Sequence, residues 1–274
     1  MTGDHSHHGH LHDHEHMHGD GVIHSHPHSH EGNHEHHSDC PGEAILNVDG
    51  VEFGYKSFKV LENIEVGVSR GEILAILGPN GVGKSTLFKC MLGFMKKYEG
   101  RILLNGTDIS EMTHKQIAKR IAYIPQSTHP VFNFEVLDVV MMGLTSQLSI
   151  MSSPKQEHID EAREALASLG IAHLEHAGYG EISGGERQLV LIARALVQKS
   201  KILIMDEPTA NLDYGNQFRV MQRIAGLAKN GYTIILSTHN PDHAFIYANR
   251  VVMMYGGKVI ADGTPDEVLD AELI

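Results

Sequence analysis

The sequence predicts an α/β fold with a largely parallel sheet for residues 43–274, preceded by a disordered, histidine-rich tail at residues 1–42. From Glu43 onward, short apolar runs of strand length alternate with longer runs of helical spacing. One short run, EILAIL (72–77), leads into a glycine-rich loop and then into a helical run. Residues 1–42 contain few large apolar residues and no apolar periodicity, so we expect them not to fold alone.

The remaining elements follow the same alternation along the chain. Before the glycine loop the predicted strands are AILNVD, VEFGY and ENIEVGV, and after it RILLNG and RIAYIP enclose a short helix, THKQIAKR. Residues 134–199 are mostly helical in pattern. KILIMDEP then predicts a strand, NQFRVMQRIAGLAKN a helix, YTIILST a strand, PDHAFIYAN a helix and RVVMMYGGKVIADG a hairpin.

Composition limits the class of protein. The 274 residues are 41% hydrophobic and 20% charged, with a net charge of −12, so nothing favours binding to nucleic acid. With only two cysteines, Cys40 and Cys90, the sequence does not suggest a disulfide framework, which predicts a reducing cytosol. No apolar segment approaches the roughly 18–20 residues that span a bilayer. We therefore expect a chain that does not itself cross a membrane.

GPNGVGKST (78–86) fits the pattern G-x-x-x-x-G-K-[ST] between a strand and a helix. Glycines let backbone N–H groups surround phosphate oxygens, and the helix N-terminus adds partial positive charge. Lys84 would reach the β- and γ-phosphates, and the Ser85 hydroxyl would bind Mg²⁺. The alternative is a glycine-rich turn without a ligand. The predicted phosphate-binding residues are Gly78, Pro79, Asn80, Gly81, Gly83, Lys84, Ser85 and Thr86.

The apolar run KILIM is followed directly by Asp206 and Glu207. Ligands of open α/β sheets bind at the carboxyl ends of the strands. Asp206 can therefore hold Mg²⁺, which prefers a few carboxylates and water, and Glu207 can orient and deprotonate an attacking water. The alternative is a solvated strand end.

ISGGERQ (182–188) predicts a helix start, because Ser183 and Glu186 have the spacing of a capping box. This segment could be only a well-capped helix. With Gly184 and Gly185 exposing backbone N–H groups, it could also be a second phosphate-binding surface.

The motifs GPNGVGKST, ISGGERQ and ILIMDEPTANLD, in this order, resemble the ATPase subunit of the ABC superfamily over essentially all of residues 43–274. The resemblance implies a P-loop NTPase core, an antiparallel β subdomain and an inserted helical subdomain at about 127–187. It departs from the family at ISGGE, where LSGGQ is common, and we expect Glu186 to leave binding unimpaired. It also implies further roles: Tyr55 stacks on adenine, Gln126 senses Mg²⁺ and the attacking water, His239 contacts the γ-phosphate, and Asp213, with Asn211 and Leu212, lies in a loop at the dimer interface.

The resemblance implies a homodimer that holds two ATP molecules between its subunits. Lys84, Ser85, Gln126, Asp206, Glu207 and His239 of one chain would face Ser183, Gly184 and Gly185 of the other, with Glu207, His239, Gln126 and Lys84 as the catalytic set. The motion would pass to separate integral-membrane permease subunits, with 127–136 as the docking segment, at the cytoplasmic face of the cell membrane. HAGYGEISGGERQ and DEPTANLDYGNQ are similar to ATPases of importers for iron–siderophore, haem and cobalamin, which work with a substrate-binding protein.

Three alternatives remain. A metal-insertion GTPase with a histidine-rich N-terminus should carry an N/T-K-x-D motif, which the sequence lacks. A soluble ABC ATPase of iron–sulfur cluster assembly would be an assembly factor and not a transporter. Metal storage by the tail could also be the main role.

The tail holds 15 of the 22 histidines within residues 1–40, with seven acidic residues and no Lys or Arg. H-x-H spacing lets imidazoles converge on Zn²⁺, Ni²⁺, Co²⁺ or iron. An engineered tag would usually be one uninterrupted run, and a solvated tail without a ligand is the other alternative. We hypothesise that the tail binds divalent metal and buffers or senses the imported metal. Its candidate ligands are His14, His16, His18, His24, His26, His28, His30, His34 and His36.

Overall fold

The computed structural model describes residues 15–17, 23–25, 44–56, 58–126, 134–146 and 155–269. Contacts divide the chain into two units, Met1–Cys40 and Pro41–Ile274, which are described separately. In the first unit, β1 (Glu15–Met17) pairs antiparallel with β2 (Ile23–Ser25). The sequence does not predict this two-stranded ribbon. The remainder of the predicted disordered tail lies outside the described residues.

The strands of the second unit form two sheets. In chain order these strands are β3 (Leu46–Tyr55), β4 (Phe58–Val68), β5 (Ile73–Leu77), β6 (Glu99–Leu104), β7 (Thr107–Asp108), β8 (Ile121–Ile124), β9 (Ile202–Met205), β10 (Thr233–Thr238), β11 (Arg250–Tyr255) and β12 (Lys258–Gly263). One sheet has the spatial order β8, β9, β10, β5, β11, β12, and the other has the order β4, β3, β6, β7.

The six-stranded sheet is parallel except for β12, which pairs antiparallel with β11. All residues of β5, β9 and β10 are buried. Strands covered on both faces have no polar side to present to water, which explains their continuous apolar runs. The predicted largely parallel sheet is confirmed.

The four-stranded sheet is antiparallel throughout and confirms the antiparallel β subdomain. Inward-facing Leu46 and Val48 of β3 alternate with half-buried residues, as expected for a strand with one face on a core. AILNVD and VEFGY, predicted as two strands, are joined in β3. The register shifts between Val48 and Val51, and Gly50 has a φ of 59°, so the strand bulges there and continues.

Eight helices lie in the described part of the second unit. They are α1 (Lys84–Met91), α2 (His114–Ala118), α3 (Val136–Met141), α4 (Gln156–Ser168), α5 (Gly184–Leu196), α6 (Tyr214–Lys229), α7 (Pro241–Tyr247) and α8 (Pro265–Val268), with 3₁₀ turns at Ile109–Glu111, Met142–Ser146 and Ala172–Leu174. None of the described helices is long and apolar enough to cross a bilayer. Helices α3 and α4 of the predicted inserted subdomain pack on each other and on α5, which begins at its end, while 127–133 and 147–154 lie outside the described residues.

The parallel sheet separates two hydrophobic cores. In β5, Ile73, Ala75 and Leu77 point into a core shared with α3, α4, α5 and α6. Leu74 and Ile76 point into the other core, shared with α1 and the four-stranded sheet. Alternate side chains of a strand face opposite sides, so every central strand divides its residues between the two cores. Because β5, β10 and β9 are parallel neighbours, their carboxyl ends lie side by side at one edge of the sheet.

Candidate nucleotide-binding site

The glycine-rich loop joins the end of β5 to the start of α1. Gly81 and Gly83 have φ values of 79° and 116°, which side-chain-bearing residues rarely adopt. A Cβ at Gly83 would also lie 2.8 Å from Leu61 Cδ2. Gly83 is the N-cap of α1 and provides no side-chain cap, so the first-turn N–H groups can bind a phosphate.

Lys84 opens α1, and its side chain folds back over the loop. Nζ donates to the carbonyl oxygens of Gly78 at 2.7 Å and Pro79 at 3.2 Å, and it lies 3.5 Å from Glu207 Oε1. Only 5% of the Lys84 side chain is exposed. A buried ammonium needs acceptors or an opposite charge, and here it has both. The same ammonium can bind the phosphate oxygens of a nucleotide.

Asp206 follows β9 and is held from both neighbouring strands. Its Oδ1 accepts from the Ser237 hydroxyl of β10 at 2.7 Å, and its Oδ2 accepts from the Tyr123 hydroxyl of β8 at 3.4 Å. Burial, together with the nearby carboxylate, raises the pKa of Tyr123 to about 12. Tyr123 therefore remains a protonated donor at neutral pH, and the carboxylate of Asp206 has a fixed orientation.

Glu207 places its carboxylate between two basic side chains. Oε1 lies 3.5 Å from Lys84 Nζ, and Oε2 lies 3.4 Å from His239 Nδ1. The backbone N–H of Glu207 donates to Ser237 Oγ at 2.9 Å. Its φ is 45°, a left-handed value that is strained for a residue with a side chain. This carboxylate thus links the glycine loop to the residue after β10.

Two adjoining cavities meet at Glu207 and Asn80. The smaller, of about 130 Å³, is lined by Asn80, Gly81, Gly83, Lys84, Ser85, Thr86 and Glu207. The larger, of about 310 Å³, is lined by Asn80, Gln126, Glu207, Thr209, Ala210, Asn211, Gln217, Thr238, His239, Asn240 and His243. Polar side chains of the glycine loop, β8, β9 and β10 therefore converge on one cleft.

The predicted residues Ser183, Gly184, Gly185, Asp213 and Tyr55 do not line these cavities. Ser183 caps α5, where Gly184 and Gly185 lie close to Leu212 and Asn216 of the same chain. Asp213 caps α6, and hydrogen bonds from Asn216 lower its pKa. Tyr55 ends β3, half-exposed, with its ring 5.0 Å from that of Phe53. Within one chain these residues are thus separate from the cleft.

The tail histidines fall almost entirely outside the described residues. His16 and His24 are opposite each other in the β1–β2 ribbon. His14, His18, His26, His28, His30, His34 and His36 lie outside the described residues. Among the residues that are described, no group of three or more His, Cys, Asp or Glu could hold a metal ion.

Sequence reasoning misses four residues that shape the site. Ser237 and Tyr123 hold Asp206. Thr209 Oγ1 lies 3.3 Å from Nδ1 of His243, and both residues are largely buried in the wall of the larger cavity. A signal was present for Ser237, since it lies two residues after apolar Ile235 at the end of a buried strand.

The family is decided by a match along the centre of the chain. A family model described as ABC transporter matches residues 61–210, from β4 to the segment after Glu207. The chain belongs to the ABC transporter family. As a member of the ABC transporter family it binds and hydrolyses ATP.

Named relatives and solved structures agree with this assignment. An uncharacterized ABC transporter ATP-binding protein of Haemophilus influenzae is 41% identical over 77% of this chain and 80% of its own. A probable iron chelatin transport ATP-binding protein of Helicobacter pylori is 37% identical, with coverages of 78% and 85%. The ferric enterobactin transport ATP-binding protein FepC of Escherichia coli is 32% identical, with coverages of 84% and 86%. An ATP-binding cassette of an ABC transporter, solved in its ADP conformation, has a TM-score of 0.77 at 28% identity and covers 84% of this chain and 97% of that one.

The residues at the cleft also fit Mg²⁺. The predicted donors are the Ser85 hydroxyl, the Gln126 amide oxygen and the Asp206 carboxylate. Ser85 lines the smaller cavity and Gln126 the larger, while Asp206 is anchored beside Glu207. Mg²⁺ prefers oxygen ligands and keeps several waters, so a small set of hydroxyl, amide and carboxylate oxygens suits it.

Proposed function

We propose that this chain hydrolyses ATP to power import of a metal or metal chelate through separate membrane permease subunits. The cargo classes are iron–siderophore, haem, cobalamin and a transition-metal ion. The relatives named for iron chelatin and ferric enterobactin transport support this class of cargo, as does a hemin import ATP-binding protein of Agrobacterium fabrum. The proposal of ATP hydrolysis at this cleft is supported chiefly by the Glu207 carboxylate, which lies between Lys84 and His239.

Each cleft residue has a proposed role in hydrolysis. Glu207 orients the attacking water and accepts its proton, and Lys84 neutralises charge on the β- and γ-phosphates. His239 contacts the γ-phosphate, and Gln126, which lines the same cavity, orients the water. Mg²⁺, held by Ser85, Gln126 and Asp206, supplies Lewis-acid stabilisation of the phosphate charge when bound.

A second copy of the chain completes each site in this proposal. Ser183, Gly184 and Gly185 do not line the cleft of their own chain, and they lie at a helix N-terminus suited to phosphate. They would contact the nucleotide of the partner, and Asp213 would lie in the interface between the two. Tyr55 is half-exposed and can stack on adenine.

Replacing Glu207 tests the catalytic proposal. Glu207→Gln keeps the shape of the side chain but removes the base, so we expect hydrolysis to fall about 10²–10⁴-fold while ATP binding is retained. Steady-state phosphate release and equilibrium ATP binding measure the two effects. Glu65→Gln is the matched control, because Glu65 is exposed on β4. Hydrolysis at the wild-type rate in Glu207→Gln would show that another residue is the base.

Co-purification and transport assays test the proposal that the chain powers import through membrane permease subunits. We propose that the chain works at the cytoplasmic face of the cell membrane with integral-membrane permease subunits, and indirectly with a substrate-binding protein. The chain should then co-purify with an integral-membrane protein. In proteoliposomes, the assembled complex should accumulate one of the cargo classes only with ATP. Co-purification with iron–sulfur scaffold proteins and no permease would instead favour the assembly-factor alternative.

We also propose that the histidine-rich tail binds divalent metal and buffers or senses the cargo metal. Its dense H-x-H spacing supports this, since imidazole suits Ni²⁺, Co²⁺ and Zn²⁺. Isothermal titration of these ions should give several sites in the full chain and fewer in residues 43–274 alone. Equal stoichiometry would refute tail binding. An ATPase rate that does not depend on metal would leave buffering as the tail's role.

A further inference from the structure

Ser237 is a fully buried residue that bonds to both members of the acidic pair. Its hydroxyl donates to Asp206 Oδ1 at 2.7 Å, and its oxygen accepts from the backbone N–H of Glu207 at 2.9 Å. Its exposure is 0%. A hydroxyl has one proton, so donation to Asp206 leaves its lone pairs for Glu207. One side chain therefore satisfies a carboxylate and the backbone of the residue that follows it.

Strand register brings these groups together. In the parallel pair β9–β10, Met205 lies opposite Leu236, so the next residues along, Asp206 and Ser237, are neighbours. Both continue the alternation of residues facing the core beneath the four-stranded sheet, which includes Ile204 of β9. Their side chains therefore leave the sheet on the same face, the face on which α1 and Lys84 also lie.

The two hydrogen-bond partners of Ser237 differ in what else holds them in place. Asp206 has a second anchor, since Tyr123 donates to its other oxygen. The Glu207 backbone has a left-handed φ of 45° and lies where β9 has already ended. A strained conformation persists only when its surroundings hold it. Loss of the Ser237 hydroxyl would therefore disturb Glu207 more than Asp206.

We propose that Ser237 is a positioning residue for hydrolysis, which holds the Glu207 backbone so that its carboxylate stays between Lys84 and His239. This inference rests on the proposed role of Glu207 as the base. Ser237 contacts neither nucleotide nor water in this proposal. It acts through Glu207, and it ties the position of Glu207 to that of Asp206.

Ser237→Ala tests the proposal through a split between catalysis and binding. We expect kcat to fall at least tenfold while the Kd for ATP, measured without hydrolysis, changes less than twofold, because Asp206 keeps its bond to Tyr123. The matched control is Ser200→Ala, since Ser200 is equally buried and its hydroxyl has no partner among the described residues. Ser200→Ala should leave both kcat and Kd unchanged. A wild-type kcat in Ser237→Ala would overturn the proposal.

Two further variants at Ser237 separate positioning from simple loss of folding. Ser237→Thr keeps the hydroxyl and should keep at least half the wild-type kcat. Ser237→Cys has the same shape and is only slightly larger, but it offers only a weak donor and acceptor. It should therefore fold, as judged by its thermal midpoint, and be as slow as Ser237→Ala. A folded Ser237→Cys variant with wild-type kcat would refute the role of the hydrogen bonds.

A double-mutant cycle shows whether Ser237 acts through Glu207. In single-turnover assays, Ser237→Ala should slow the Glu207→Gln background less than twofold, because the positioned group is already lost. An equal slowing in both backgrounds would overturn the proposal while leaving Glu207 as the base. If Glu207→Gln alone hydrolyses ATP normally, the proposed role of Glu207 fails first and the positioning role fails with it.

Discussion

The ammonium of Lys84 lies 3.5 Å from the carboxylate of Glu207, although the two residues are 123 positions apart in the chain. Both side chains are largely shielded from water. The pair joins the glycine loop to the end of β9, so a phosphate that enters the loop meets an ammonium already oriented by Glu207 and by two carbonyls.

Lys84→Met should weaken ATP binding and abolish hydrolysis. Hydrogen bonds to charged groups are worth about 1.5–3 kcal/mol, which is roughly ten- to 150-fold in Kd. Fluorescence titration with ATP measures this change. Lys89→Met is the control, because Lys89 is exposed on the same helix. Equal Kd values for the two variants would contradict a phosphate contact by Lys84.

Gly83→Ala should destabilise the fold and remove ATP binding. The φ of 116° and the 2.8 Å approach to Leu61 Cδ2 both oppose a side chain, at a cost of about 1–3 kcal/mol. Gly226→Ala is the opposite control, since a Cβ there meets nothing within 4 Å and the position is inside α6. It should stabilise by about 0.5–1 kcal/mol, because alanine favours a helix interior. Urea unfolding measures both changes.

Ser183→Ala and Thr113→Ala should differ in activity but not in stability. Each residue forms a capping box, Ser183 with Glu186 and Thr113 with Gln116. In each box the two N–H···O distances are 2.8 and 3.3 Å. Each loss should cost about 1 kcal/mol. Only Ser183→Ala should reduce ATP-dependent dimerisation, measured by light scattering of the Glu207→Gln chain. A loss of dimerisation in both variants would point to folding alone.

His243 should make stability depend on pH. Burial lowers its pKa below 6.5, so between 6.5 and the lowered value the unfolded chain binds a proton that the native chain does not. The free energy of unfolding should therefore fall as the pH drops through this window. We expect wild type to lose more stability than His243→Gln between pH 7.5 and 5.5 in urea unfolding. Parallel losses would show that other groups cause the effect.

The elements that line the cleft could be predicted because their patterns are local. EILAIL is buried on both faces and ends in a loop whose glycines have φ values that require them. The acidic pair follows KILIM for the same reason, since the chain leaves a buried strand there. These features depend on residues adjacent in sequence.

Other features depend on partners that are distant in sequence. Ser237 holds Asp206 only because β10 lies beside β9 in a particular register, and a single sequence does not state which strands are neighbours. AILNVD and VEFGY were predicted as two strands, but they form the single strand β3. This depends on a bulge at Gly50, on either side of which β3 stays paired with β4 and β6. The β1–β2 ribbon lies in a stretch whose composition predicted no structure.

The division of β5 between two cores limits how the protein can vary in length. Adding or removing one residue between Ile73 and Leu77 would exchange the sides of every following side chain. It would also shift the glycine loop along the sheet relative to Asp206. Insertions should thus be tolerated at surface turns such as Asn105–Gly106, whereas homologous chains that still hydrolyse ATP should keep β5 at a constant length.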